Sequence, residues 1–273
     1  MRITRRQFYT TLAAGAAYPF AEALWLEVNR RKVRISGLRA TIRILHLSDL
    51  HFSFVVPLAV IYHAIAVGLA EKPDLICITG DFITMGSDFA SRDYASTLRR
   101  LSASAATFAV LGNHDGGVWS RAYEGRDNHR DVDRLLADSG IEMLHNRSIP
   151  VMVRDFALTL VGTGDLWSEE VDADQAFKEV KGGPTVLLHH NPDGKNLVAR
   201  KPWDLMLSGH THGGQVIVPF RGPSYAPVAD KRYVEGLKPW GDRQIHTSKG
   251  VGNVWGVRFR CRPEVTLLEV TGG

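Results

Sequence analysis

Thr41-Ile42-Arg43-Ile44-Leu45-His46-Leu47-Ser48-Asp49-Leu50-His51 decides the fold. Ile42, Ile44 and Leu47 begin a strand that stops at the Ser48-Asp49 turn, and the stop carries Asp49 and His51. The same figure, an apolar run closed by a short polar motif, returns along the chain. Residues 74–79 run into Gly80-Asp81, and residues 107–111 into Gly112-Asn113-His114-Asp115. Residues 185–188 run into His189-His190-Asn191-Pro192, and residues 205–208 into Gly209-His210-Thr211-His212. Between the early runs lie helical stretches. One is opened by Pro57 and reaches Leu69, one covers about 91–101, and one covers 131–139 with Gly140 as a stop. This strand–helix alternation predicts a largely parallel sheet with helices packed on a face.

The second half is richer in strands. Residues 150–154 and 156–161 read as a hairpin across Asp155, and short runs follow at 216–218, 225–228, 243–247 and 265–270. The expected fold is α/β, with two sheets stacked face to face and helices outside both. The polar motifs fall at the carboxyl ends of the expected strands, the edge where open α/β sheets bind ligands.

The motif residues are carboxylates, imidazoles and one carboxamide, a donor set for a pair of hard-to-borderline divalent ions. Such a pair suits the cleavage of phosphate esters. Asp49 and His51 straddle Leu50; in an extended segment both face one way and reach one ion. Gly80 lets the backbone come close, so that the Asp81 carboxylate can bridge two ions. Asn113 offers a neutral amide oxygen, while His114 points elsewhere and suits a role facing substrate. His210 and His212 repeat the spacing of Asp49 and His51. His189 and His190 face opposite ways on a strand; His190 is taken as a ligand and His189 as structural. His46, His63, His129, His145 and His246 lie outside the motifs and default to packing or surface roles.

The chain has 273 residues, 44% hydrophobic and 23% charged, enough to bury a core without a covalent staple. Its two cysteines, Cys77 and Cys261, match neither a disulfide framework nor a zinc finger. The net charge of +4 is concentrated at the start: Arg2, Arg5 and Arg6, then Arg30, Arg31, Lys32, Arg34, Arg39 and Arg43. The body beyond is net acidic and has no basic stripe, so nucleic acid is not expected as a partner. Residues 1–26 resemble a twin-arginine export signal: Arg5-Arg6, an uncharged stretch over 10–21, and a possible cleavage site at Ala21-Glu22-Ala23. The alternative is a plain amphipathic helix. Residues 27–40 read as a basic connector, either solvated or resting on anionic lipid headgroups.

In this order the five motifs resemble the calcineurin-like metallophosphoesterases, over about residues 41–270. Four further stretches narrow the resemblance to a bacterial subgroup of twin-arginine-exported phosphodiesterases. They are Val161-Gly162-Thr163-Gly164-Asp165-Leu166-Trp167, Trp203-Asp204-Leu205-Met206-Leu207, Asp230-Lys231-Arg232-Tyr233-Val234 and Cys261-Arg262-Pro263-Glu264-Val265-Thr266. The resemblance implies a four-layer α/β/β/α sandwich over 41–270. It implies one metal on Asp49, His51, Asp81 and His212, and another on Asp81, Asn113, His190 and His210, with Asp81 bridging. His114 matches the non-ligand histidine that contacts the phosphate oxygen. The implied activity is phosphodiester hydrolysis by in-line attack of a metal-bridging hydroxide, outside the cytoplasm or at the membrane surface. The metals would be Mn, Fe, Zn or Ni.

The partners expected are a phosphodiester, open to a lipid-linked form, and the export machinery. A second enzymatic reading is a UDP-2,3-diacylglucosamine diphosphatase of lipid A synthesis; a third, a non-enzymatic scaffold, sits badly with seven filled ligand positions. The loop over 116–130 carries Trp119, Arg121, Tyr123, Arg126 and Arg130, a set suited to a substrate's non-reacting portion and a second phosphate, or to an ordinary solvated loop. Trp167 and Trp240 are read as buried packing rather than as a substrate wall.

Overall fold

Strand β2 (Ile42–Leu47) sets the two faces of the first sheet by simple alternation. Leu45 and Leu47 point to one side, Ile42 and Ile44 to the other, and all four are buried. The computed structural model describes residues 15–84 and 92–272. On the first side, Leu45, Leu47, Ile76, Ile78 and Ala109 pack under three helices, α2 (Leu58–Ala70), α3 (Arg92–Ser102) and α5 (Arg130–Asp138). Helix α2 lies so close to β2 that a side chain at Gly68 would press on the Leu45 methyls.

The first sheet has the order β1-β14-β2-β3-β4-β5, adding β1 (Glu27–Ile35), β14 (Glu264–Gly272), β3 (Leu75–Thr79), β4 (Ala106–Val110) and β5 (Glu142–Met143). Strands β2 to β5 are parallel, β14 runs against β2, and β1 runs with β14. The second sheet has the order β12-β13-β9-β8-β7-β6. It is made of β6 (Arg147–Val153), β7 (Phe156–Gly162), β8 (Thr185–Leu188), β9 (Leu205–Ser208), β12 (Gly236–Trp240) and β13 (Arg243–Thr247). A two-stranded ribbon, β10 (Ile217–Val218) with β11 (Gly222–Pro223), stands apart from both. Ile42, Ile44, Leu75, Cys77 and Val110 meet Leu158, Leu160, Val186, Leu188, Leu205 and Leu207 between the sheets. Each such fully buried aliphatic side chain contributes about 1.5–3 kcal/mol, so this dry interface fixes how the two sheets stack.

The outer face of the second sheet is also covered, but thinly. Its cover is short: α6 (Ala173–Ala176) and 3₁₀ turns over Pro192–Asn196 and Lys231–Tyr233. Bulky side chains replace helix length there, as Phe177, Val198, Trp203 and Tyr233 sit over Val161, Leu187, Met206 and Ile245. The run at 225–228 is not a strand, whereas β12 is one, at the sheet edge where Pro239 costs no ladder bond.

The segment expected as a basic connector is corrected most. Glu27–Ile35 is strand β1, in register from Glu27↔Glu264 to Ile35↔Gly272. Val33 and Ile35 enter the inter-sheet core while Arg30, Arg31, Lys32 and Arg34 stay exposed on the outermost strand. Charge on an edge strand discourages pairing with another chain, which is why its composition reads as linker.

Arg5 and Arg6 lie outside the described residues. Residues 15–22 are helical (α1) and rest on the body. Glu22 is buried and accepts from the backbone N–H of Arg260 at 2.9 Å and of Cys261 at 2.6 Å. No helix among the described residues is long and apolar enough to cross a membrane.

Candidate metal centre

All five motifs meet where β2, β3 and β4 of one sheet and β8 and β9 of the other give way to loops. Asp49, His51, Asp81, Asn113, His190, His210 and His212 are all buried there. The backbone departs from the extended form expected for the spaced pairs. Asp49 (φ 51°), His51 (φ 48°), Asp81 (φ 55°), His210 (φ 69°) and His212 (φ 50°) are left-handed. A left-handed non-glycine residue costs of order 1–3 kcal/mol, so the chain is held in this shape by the strands on either side. The glycines let the loops close: side chains at Gly209 and Gly112 would collide with Ser48 and Asp49, and with Asp81, respectively.

The groups fall into overlapping sets, Asp49–His51–His212, His51–Asp81–His114 and Asp81–His190–His210, each with its ligating atoms within 4.8 Å of one another. Asp81 joins them. Its Oδ2 lies 3.5 Å from His51 Nε2 and 3.2 Å from His190 Nε2. His190 Nδ1 donates to the Thr79 carbonyl at 2.6 Å, which leaves Nε2 as the coordinating nitrogen. His51 Nδ1 is turned to Thr84 Oγ1 at 3.2 Å, so its Nε2 is likewise free. That Nε2 faces His212 Nε2 at 3.1 Å, with the rings stacked. His212 Nε2 also lies 3.6 Å from Asp49 Oδ1.

Burial holds the His212 imidazole well below its ordinary pKa and pushes His51 down to about 3, so both are neutral at pH 7. Burial also drives Asp49 up to about 7. Burial opposes charge on His190 too, yet the Asp81 carboxylate raises it to about 10. The Asp81 and Asp49 carboxylates thus favour positive charge between these groups. The Asn113 Oδ1 atom is buried with no hydrogen-bond partner. Two neutral nitrogens aimed at each other, an orphaned amide oxygen and a carboxylate shared by both sets fit two divalent ions.

His114 stands at the floor of an adjoining cavity of about 370 Å³, its ring edge-on to His51 at 4.8 Å and to Trp119 at 5.0 Å. The cavity is walled by Trp119, Tyr123, Trp167, Tyr225 and Trp255, and among the described residues no lysine or arginine lines it. The segment over 116–130, expected as a loop, contains the short helix α4 (Gly117–Ala122) and supplies its aromatics and not its arginines; Arg126 pairs with Asp131 instead. Trp167, read as packing, is part of the wall, with its ring edge-on to His210 at 4.2 Å. Trp240 does pack away from the site, stacked on Trp203. His189 bonds Thr163 and abuts Gly194, a structural position.

Two further residues escaped the sequence reading. Asp115 is buried and accepts from the backbone N–H groups of Gly112, Asp81 and Phe82 at 2.7–2.9 Å, which fixes the bridging carboxylate's loop. Its place at the end of the Asn113-His114 motif was the available signal. Arg258 is fully buried and donates to the carbonyls of Lys249 at 2.7 Å and Gly252 at 2.6 Å, behind His212. Nothing in its sequence context marks it.

Residues 42–214 match the family described as calcineurin-like phosphoesterase. The chain is 40% identical to phosphodiesterase YaeI of Escherichia coli, covering 98% of this chain and 99% of that one. It is 29% identical to the uncharacterized metallophosphoesterase YkuE of Bacillus subtilis, covering 98% of each. It is 25% identical to UDP-2,3-diacylglucosamine pyrophosphatase LpxG of Chlamydia muridarum, covering 84% of this chain and 83% of that one.

Proposed function

The chain belongs to the calcineurin-like phosphoesterase family, and from that premise we propose that this metal-dependent phosphoesterase cleaves phosphodiesters whose non-reacting arm is apolar. The observation that carries the reading is the Asp81 carboxylate oxygen set between His51 and His190, with the aromatic cavity beside it. Asp49, His51, Asp81 and His212 would hold one ion and Asp81, Asn113, His190 and His210 the other. Bound there, two divalent ions supply Lewis acidity that activates water and offsets charge on the phosphoryl oxygens.

The chain's own groups do the rest. Burial lowers the His114 pKa, so at neutral pH its ring is a neutral hydrogen-bond donor to the departing oxygen. Thr79, through His190 Nδ1, and Thr84, through His51 Nδ1, hold the rings in ligating orientation. Trp119 and Trp167 exclude water and take up an aryl or acyl group; Tyr123, Tyr225 and Trp255, half exposed at the rim, extend that surface outward.

Among the described residues no lysine or arginine lines the cavity to meet a second phosphate, which favours a diester over a UDP-linked pyrophosphate. The Arg5-Arg6 start supports action outside the cytoplasm, at or near the membrane surface. Purified metal-loaded protein is expected to hydrolyse bis-aryl phosphodiesters faster than small dialkyl ones and faster than UDP-2,3-diacylglucosamine. Preference for the UDP-lipid would replace this reading with the pyrophosphatase one. Secretion of a reporter fused to residues 1–26, lost on replacing Arg5 and Arg6 by lysine, checks the location.

A further inference from the structure

Outside the central site, His129, His145 and Glu170 offer ligating atoms that also lie within 4.8 Å of one another. They come from three separate places: the residue before α5, the turn between β5 and β6, and the loop after β7. All three are half-buried. His129 Nδ1 lies 2.7 Å from Asp133 Oδ2, which leaves Nε2 as the nitrogen open to a cation, with a carboxylate behind as at a metal-bound histidine. The His145 ring is stacked on that of His129 at 5.4 Å. His145 Nδ1 is buried and has no hydrogen-bond partner, and the second oxygen of Asp133 is equally unpaired. A nitrogen lone pair, an oriented imidazole and a carboxylate, with a further carboxylate behind, are an incomplete set of contacts that a cation completes.

We propose that His129, His145 and Glu170 form a third divalent-metal site, oriented by Asp133 and separate from the central pair. Two imidazoles with one carboxylate select a borderline ion of the zinc type and leave a fourth position for water. The position gives such an ion a task. A side chain at Gly117 would press on Glu170 and Ser168, one at Gly116 would press on Asn128 and His129, and Ser168 Oγ donates to the Gly116 carbonyl at 3.3 Å. The Asn146 side chain, beside His145, donates to the Glu170 carbonyl at 2.6 Å and accepts from Gly164 N–H at 2.9 Å. Trp119 follows the first of these loops and Trp167 belongs to the second, their rings 5.4 Å apart. An ion on His129, His145 and Glu170 clamps the two loops that carry the aromatic wall.

The test is zinc stoichiometry on the full chain. Chelator-stripped protein is titrated with Zn²⁺ by calorimetry, desalted, and its metal counted by elemental analysis. Three ions per chain are expected, falling to two in His145→Ala and to one in Asp81→Asn. Should His145→Ala fail to fold, Glu170→Gln is expected to weaken the third equivalent by more than the about 10–100-fold typical of losing an outer-shell partner, with the other two unchanged. Tryptophan fluorescence should shift on adding the third equivalent to wild type and not to the variants. Two ions per chain in wild type, or three retained in His145→Ala, would overturn the proposal.

Discussion

The central cluster and the His129–His145–Glu170 cluster use the same residue types on opposite mechanical terms. The central ligands are wholly buried, and five of them sit in left-handed backbone at the ends of strands. The outer histidines are half-buried, and His129 sits at φ −93° in unstrained backbone. At the centre, strain of order 1–3 kcal/mol at each of five ligands is carried by strands from two sheets that fix the loops, whereas His129, His145 and Glu170 are not themselves left-handed. The difference teaches that the centre is pre-formed by the fold, whereas the outer cluster is held by loops that its own ion would stiffen.

The sharpest way to break that contrast is Asp81→Asn. It removes the shared carboxylate charge, so the centre is expected to lose both of its ions and essentially all turnover while the outer ion stays bound. Two central ions retained by elemental analysis would contradict the bridging role. Next in size, His114→Ala is expected to keep both central ions and lower kcat on a bis-aryl diester by about 10²–10⁴-fold. Unchanged kcat would remove His114 from the chemistry. A smaller effect is expected at the cavity rim: Trp255→Ala should raise KM for an aryl diester by about two- to tenfold, the worth of one aromatic contact, with kcat little altered.

The smallest concerns neither cluster but the fully buried His46–His246 pair between the sheets, with Nδ1 atoms 2.9 Å apart. Burial lowers the His246 pKa to about 4. Between pH 6.5 and 4 the unfolded chain binds a proton that the folded chain refuses, so this contribution to stability is full above pH 6.5 and lost as pH falls toward 4. In metal-loaded protein, His246→Gln should flatten the fall of Tm across that window; an unchanged slope would show that the pair does not titrate this way.

Much of the centre was legible because metal coordination restricts residue type, and strand ends restrict position. Asp49, His51, Asp81, Asn113, His190, His210 and His212 could each be picked out as a polar residue closing an apolar run. Their backbone conformation could not, since alternation along a strand gives no warning of a left-handed turn at Asp49 or His210. Strand β1 was hidden because the property that makes it a safe edge, a row of exposed cations, is also that of a linker. Asp115 and Arg258 act on backbone groups brought near by folding, and the sequence carries no mark of those groups. His129 and His145 lie outside the five motifs and so read as packing or surface residues; Asn146 and the loop after β7 bring Glu170 to them. Trp167 was assigned to the core because a tryptophan after a strand is most often buried, and here the cavity reaches it.

The account rests on two divalent ions at the central cluster being the source of catalysis. The direct measurement is activity against occupancy: protein lacking the outer site through His145→Ala, stripped by chelator, is given back Mn²⁺ or Zn²⁺ in steps while bound metal and diester hydrolysis are followed together. Hydrolysis should be absent in stripped protein and rise to a plateau at two ions per chain. Full hydrolysis by protein shown to hold no metal would contradict it.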